Sequence, residues 1–113
     1  MRVFYLEDNP LIAFHVEHLV EDLGHTFAGT LDSFTSLKAR FADLEMDVAL
    51  VDIDLADGRT GVDAARWLAE RSIPCIFLTG QEQIAAAAGD FALGVLSKPI
   101  TMQALAEKLA LVA

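Results

Sequence analysis

The sequence predicts an α/β domain: a doubly wound, five-stranded parallel sheet in the order 2-1-3-4-5 with helices on both faces. Three observations carry this. Short apolar runs recur along the chain and are continuous rather than alternating, the pattern of strands buried on both faces. Between them the apolar spacing changes to a helical period, so strands and helices alternate. The 113 residues hold five such βα units around one core and are far too few for eight.

The first run is Val3-Phe4-Tyr5-Leu6. Asn9 then suits an N-cap and Pro10 the first helical position, and Ile12, Val16, Leu19, Val20 and Leu23 make one apolar stripe that Gly24 stops. Thr26 to Leu31 is less apolar and reads as a strand nearer an edge. A second helix, capped by Ser33, places Phe34, Leu37, Phe41 and Leu44 on one side. Val48-Ala49-Leu50-Val51 is the third strand, and the helix after it begins near Gly61 and buries some of Val62, Ala65, Leu68 and Ala69. Cys75-Ile76-Phe77-Leu78 is the fourth strand, and the helix that follows, Glu82 to Ala88, is short, Ala-rich and ended by Gly89. Gly94-Val95-Leu96 is the fifth strand. A last helix after Thr101 carries Met102, Leu105, Ala106 and Leu109 on one face. Five βα units in this order describe a flavodoxin-like sheet, in which ligands gather beyond the carboxyl ends of the strands.

Composition narrows the function classes. Seventeen Asp and Glu against eight Lys and Arg, a net charge of −9, argue against binding the nucleic-acid backbone. The apolar fraction of 54% argues against a disordered acidic chain. The single cysteine, Cys75, has no disulfide partner within the chain, which fits a reducing cytoplasm. The start of the chain lacks a signal-peptide layout, and its longest apolar stretch, Ile84 to Leu96, is broken by Gly89-Asp90.

The strand ends carry the chemistry. The first strand ends in Glu7-Asp8, the third in Asp52 with Asp54 following, the fourth in Thr79-Gly80 and the fifth in Lys98-Pro99. Each alone reads as a turn, a cap or a surface residue. The fold brings them to one rim, where three carboxylates would repel one another unless a cation intervened. Oxygen donors without a convergent His or Cys favour Mg²⁺. Lys98 and Thr79 suit a phosphoryl group, and Asp52 can serve as its nucleophilic acceptor.

These residues resemble the receiver domain of two-component response regulators along the whole chain. The resemblance rests on Leu6-Glu7-Asp8-Asn9, Val48 to Leu55 with Asp57-Gly58 and Gly61 following, Leu78-Thr79-Gly80, and Ser97-Lys98-Pro99. It implies that Asp52 accepts a phosphoryl group from a histidine kinase or a histidine phosphotransfer protein. It further implies that Asp8, Asp52 and the backbone carbonyl of Asp54 bind Mg²⁺ directly, with Glu7 acting through water. Lys98 and Thr79 would contact the phosphoryl oxygens, and the Lys98-Pro99 peptide would be cis. Asp54 and Gln81 occupy positions that tune rates in this family. Such a protein is a phosphoacceptor that catalyses its own phosphoryl transfer and dephosphorylation, not a turnover enzyme.

Two departures follow. Receivers usually carry an aromatic residue where Val95 stands, so the usual inward swing is not expected here, and the switch is expected to reshape the loop or the helix after the fourth strand instead. That segment is also shorter than is usual for the family. With no output domain after the last helix, the expectation is a single receiver domain over residues 1–113 that binds a downstream protein or acts as a phosphate sink.

Rival readings are weaker. Val48 to Asp54 also resembles the first motif of haloacid-dehalogenase-type phosphatases, with Asp52 as nucleophile and Asp54 as acid/base, but that motif normally opens a chain. A phosphorylation-independent binding module would have lost acidic residues that are kept here. Cys75 and Trp67 read as packing. His15, His18 and His25 do not read as a metal site, and His25 falls in a loop.

Overall fold

The computed structural model describes residues 1–80 and 92–112. Their elements are β1 (Arg2–Leu6), α1 (Pro10–Asp22), β2 (Thr26–Leu31), α2 (Phe34–Arg40), β3 (Val48–Val51), α3 (Gly61–Ala69), β4 (Cys75–Thr79), β5 (Gly94–Ser97) and α4 (Met102–Leu109). The strands form one parallel sheet in the expected order, β2-β1-β3-β4-β5. The predicted helix Glu82 to Ala88 and the rate-tuning position Gln81 lie outside the described residues.

Burial follows sheet order. β3 and β4 are wholly buried and β1 is buried from Val3 onward, whereas β2 and β5, at the two edges, are mostly half-exposed. Strand side chains alternate between faces, so the continuous apolar runs feed two cores. Phe4, Leu6, Ala49, Val51, Cys75 and Phe77 pack with Leu37, Ala64, Ala65 and Leu68 under α2 and α3. Val3, Tyr5, Val48, Leu50, Ile76, Leu78 and Leu96 pack with Val16, Val20, Leu105 and Leu109 under α1 and α4.

The helix ends obey local chemistry. The Asn9 side chain accepts from the Leu11 and Ile12 amides, Ser33 from Ser36 and Thr101 from Ala104. Gly24, at φ 87°, turns the chain out of α1. Two details depart from the periodicity. α2 ends at Arg40, and Phe41 and Leu44 reach the core through a 3₁₀ turn, Phe41–Asp43, rather than along one helix. Met102 is exposed at the start of α4, so Leu105 and Leu109 carry that helix's burial.

Candidate functional site

Register positions the site. Leu6 of β1 pairs with Val51 of β3, and Thr79 of β4 with Ser97 of β5. Backbone hydrogen bonds carry the ladder one step further: Asp52 N donates to Leu6 O at 3.0 Å, Glu7 N to Leu31 O at 3.0 Å, and Lys98 N to Thr79 O at 3.2 Å. Glu7, Asp52 and Lys98 therefore emerge side by side at the carboxyl rim. Strand alternation also gives them one face, since Tyr5, Leu50 and Leu96, two residues before each, all belong to the α1/α4 core.

Lys98 joins the two buried carboxylates. Its Nζ donates to Glu7 Oε2 at 2.7 Å and to Asp52 Oδ2 at 2.8 Å. Burial alone would lower the Lys98 pKa, but hydrogen bonds to Asp52 and Glu7 outweigh it and the pKa is raised. Asp52 Oδ1 accepts the Ile53 amide at 2.7 Å, and Glu7 Oε1 the Asn9 amide at 3.1 Å. Thr79 is fully buried at the end of β4. The Lys98-Pro99 peptide is cis, as expected.

Carboxylate oxygens of Glu7, Asp8 and Asp52 lie within 4.8 Å of one another. The Asp8 pKa is raised, by partial burial first and then by the charge of Glu7. An all-oxygen set with excess negative charge fits a hard divalent cation. The Asp54 side chain is exposed and accepts from Arg59 Nε at 3.3 Å, outside the Glu7–Asp8–Asp52 cluster. Val95 pairs with Phe77 and packs, half-buried, on the α2/α3 core.

Three residues matter more than their sequence context suggests. Tyr5 is fully buried in the α1/α4 core, yet its hydroxyl donates to Glu7 Oε2 at 2.6 Å. Burial and the neighbouring Glu7 push its pKa upward, so the proton stays on. The signal was a tyrosine two residues before an acid on one strand. Gly61 opens α3 directly against the loop after β3. A Cβ there would lie 1.9 Å from the backbone oxygen of Asp52 and 2.5 Å from the Ile53 Cα. Asp57 ties the loop after β3 to the first turn of α2, accepting from the Phe34 and Thr35 amides and the Thr35 and Thr60 hydroxyls.

The tempting residues are accounted for by packing. Cys75 is buried, its thiol near Ala65 O and Ile73 O, and burial pushes its pKa up to about 12. Trp67 meets Phe34 and Phe41 edge-on beneath the Arg71 guanidinium. His18 stands edge-on to Phe14, and His15 Nε2 lies 3.4 Å from Ile100 O. No helix among the described residues is long and apolar enough to cross a membrane.

Comparison with known proteins agrees with this geometry. Residues 3–110 match the response regulator receiver domain family. The phyllosphere-induced regulator PhyR of Methylorubrum extorquens is 39% identical over 80 residues, covering 69% of this chain and 30% of PhyR. The chain thus spans about a third of the length of that relative. The receiver domain of PhyR from Erythrobacter litoralis superposes with a TM-score of 0.86 at 30% identity, covering 98% of this chain and 88% of the other. A mutant of the anti-anti-sigma factor PhyR from Bartonella quintana gives 0.85 at 26% identity, covering 98% and 47%.

Proposed function

The chain belongs to the response regulator receiver family, whose role is phosphoacceptor signalling in two-component systems, and on that premise we propose that Asp52 is its phosphoacceptor. The observation that carries the assignment is the Lys98 ammonium shared between Glu7 and Asp52, with Asp8 beside them. A buried carboxylate held by one ammonium and crowded by two other carboxylates is poised for a change of charge partner.

In the step we propose, an Asp52 carboxylate oxygen bonds to the phosphorus of a phosphohistidine on a kinase or phosphotransfer protein. The phosphorus–nitrogen bond breaks, and its electron pair leaves on the imidazole nitrogen, which takes a proton from water. Lys98 exchanges Asp52 Oδ2 for a phosphoryl oxygen, and Thr79 donates its hydroxyl to another. Asp8, Asp52 and the Asp54 carbonyl would hold Mg²⁺, with Glu7 acting through water. The ion, when bound, would neutralise carboxylate and phosphoryl charge. The same residues would assist hydrolysis of the acyl phosphate, so the domain catalyses its own loading and loss. Val95 leaves strand β5 without an aromatic switch, and the output passes to a protein partner through the surface near Thr79. The anti-anti-sigma relative supports a protein as the class of partner, and the acidity of the chain disfavours nucleic acid.

The phosphatase reading gains nothing from the site, because the Asp54 carboxylate engages Arg59. Incubation with acetyl phosphate and Mg²⁺, followed by intact-mass measurement, tests the assignment. One phosphoryl group on the wild type and none on Asp52→Asn is expected. Equal uptake by both, or by neither, overturns it.

A further inference from the structure

We propose that Tyr5 is a positioning residue for phosphoryl transfer, keeping the Glu7 carboxylate satisfied while Lys98 leaves it for the incoming phosphoryl group. This rests on the reading of Asp52 as phosphoacceptor. Packing does not require the hydroxyl. Tyr5 is wholly buried among Val3, Val16, Val20 and Leu50, where phenylalanine would fill the same space without a polar atom. The hydroxyl is spent on one atom. Glu7 Oε2 takes Tyr5 O–H at 2.6 Å and Lys98 Nζ at 2.7 Å, on a side chain only 1% exposed.

Two donors on one buried oxygen matter because one of them has to move. Before transfer, Lys98 is divided between Glu7 Oε2 and Asp52 Oδ2. As an Asp52 oxygen bonds to phosphorus, the donor's bond to phosphorus breaks and its electron pair departs with the leaving group. Negative charge then lies on the phosphoryl oxygens, and Nζ follows it. Glu7 Oε2 loses one donor in that move and keeps the other. With phenylalanine at position 5, the same move strips Oε2 of both of its protein donors. A buried charged acceptor without a donor is costly, so Lys98 would be held back on Glu7.

The experiment uses the full chain with Mg²⁺ and acetyl phosphate, comparing wild type, Tyr5→Phe, Glu7→Gln and the double variant. Tyr5→Phe is expected to slow phosphorylation at saturating donor roughly tenfold, with the half-saturating donor concentration unchanged. In the Glu7→Gln background the same substitution is expected to have little further effect, because the buried negative charge is gone. Equal rates for wild type and Tyr5→Phe overturn the proposal, as does an undiminished loss in the Glu7→Gln background, which marks a general structural effect. A wild type that takes up no phosphoryl group overturns the Asp52 reading and this role with it, an outcome distinct from equal rates. Tyr5 is the single tyrosine of the chain, so its ¹³Cζ resonance gives a readout that needs no variant at position 5. It is expected to move on Glu7→Gln and to keep its hydrogen-bonded position after phosphorylation. A resonance typical of an unbonded hydroxyl in the phosphorylated protein overturns the proposal even if Tyr5→Phe does not fold.

Discussion

Asp52 and Asp57 stand on the same stretch of chain after β3, and the structure treats them in opposite ways. Asp52 is buried, with one oxygen on its neighbour's amide and the other on a lysine ammonium that it shares with Glu7. Asp57 is exposed, and backbone amides and hydroxyls of Phe34, Thr35 and Thr60 supply its donors. Backbone donors cannot leave without unwinding the first turn of α2, whereas an ammonium on a flexible stem can change partners. The contrast separates a structural carboxylate from the one proposed to accept the phosphoryl group. What distinguishes them is the mobility of the donor, not the acid itself.

The largest effect expected on this contrast comes from Gly61, which supports the loop carrying both acids. Gly61 N donates to Ile53 O at 2.9 Å, and a methyl group there would overlap the Asp52 carbonyl. Gly61→Ala should destabilise the fold by about 2–4 kcal/mol, because the clashing atoms are backbone and cannot rotate away. Urea denaturation measures this. An unchanged midpoint would mean that the loop adjusts freely and does not fix Asp52.

A smaller effect is expected at Asp57. Asp57→Ala removes the staple between the first turn of α2 and the loop after β3, and should cost roughly 1 kcal/mol, since the site is exposed and solvent replaces part of what is lost. Uptake of a phosphoryl group from acetyl phosphate should stay within about twofold of wild type, if the two acids are as separate as their donors suggest. A tenfold loss would join the two regions and break the contrast.

The smallest effect is on acid stability. Burial pushes the Asp57 carboxyl up, but hydrogen bonds from Thr60, Thr35 and Phe34 outweigh it and hold the pKa at about 2, below its ordinary 3.8. A depressed folded pKa contributes stability that is complete above the unfolded value and is lost as pH falls through the folded one. The stability of Asp57→Ala should therefore fall less steeply than wild type between pH of about 4 and 2. Parallel curves would show that the staple carries no linked proton.

Much of this was legible in the residues. The continuous runs at Val3–Leu6, Val48–Val51 and Cys75–Leu78 could only be central strands, and the weaker Thr26–Leu31 took the edge. Glu7, Asp8, Asp52, Thr79 and Lys98 could be singled out because each stands at the end of a strand or just beyond it. Tyr5 was hidden within an apolar run, where its ring accounts for the residue and its hydroxyl goes unnoticed. Met102 and Leu44 were misplaced, because periodicity assigns a face but not the point at which a helix stops. The partner of Asp54 was also unreadable, since a turn's side chains are oriented by the loop and not by a repeat.

The sequence by itself determined the layering of the domain, the order of its strands and the residue types at the rim, because burial and backbone periodicity are local and additive along the chain. Only the tertiary structure decided which of the acids share a cation. Lys98 is remote in sequence from Glu7 and from Asp52, and its choice of partners depends on sheet register to within a single residue. The same register turns Tyr5 into a donor for Glu7 and brings Gly61 against the Asp52 carbonyl, since distances of 2–3 Å arise from strands and helices packed together, not from spacing along a chain.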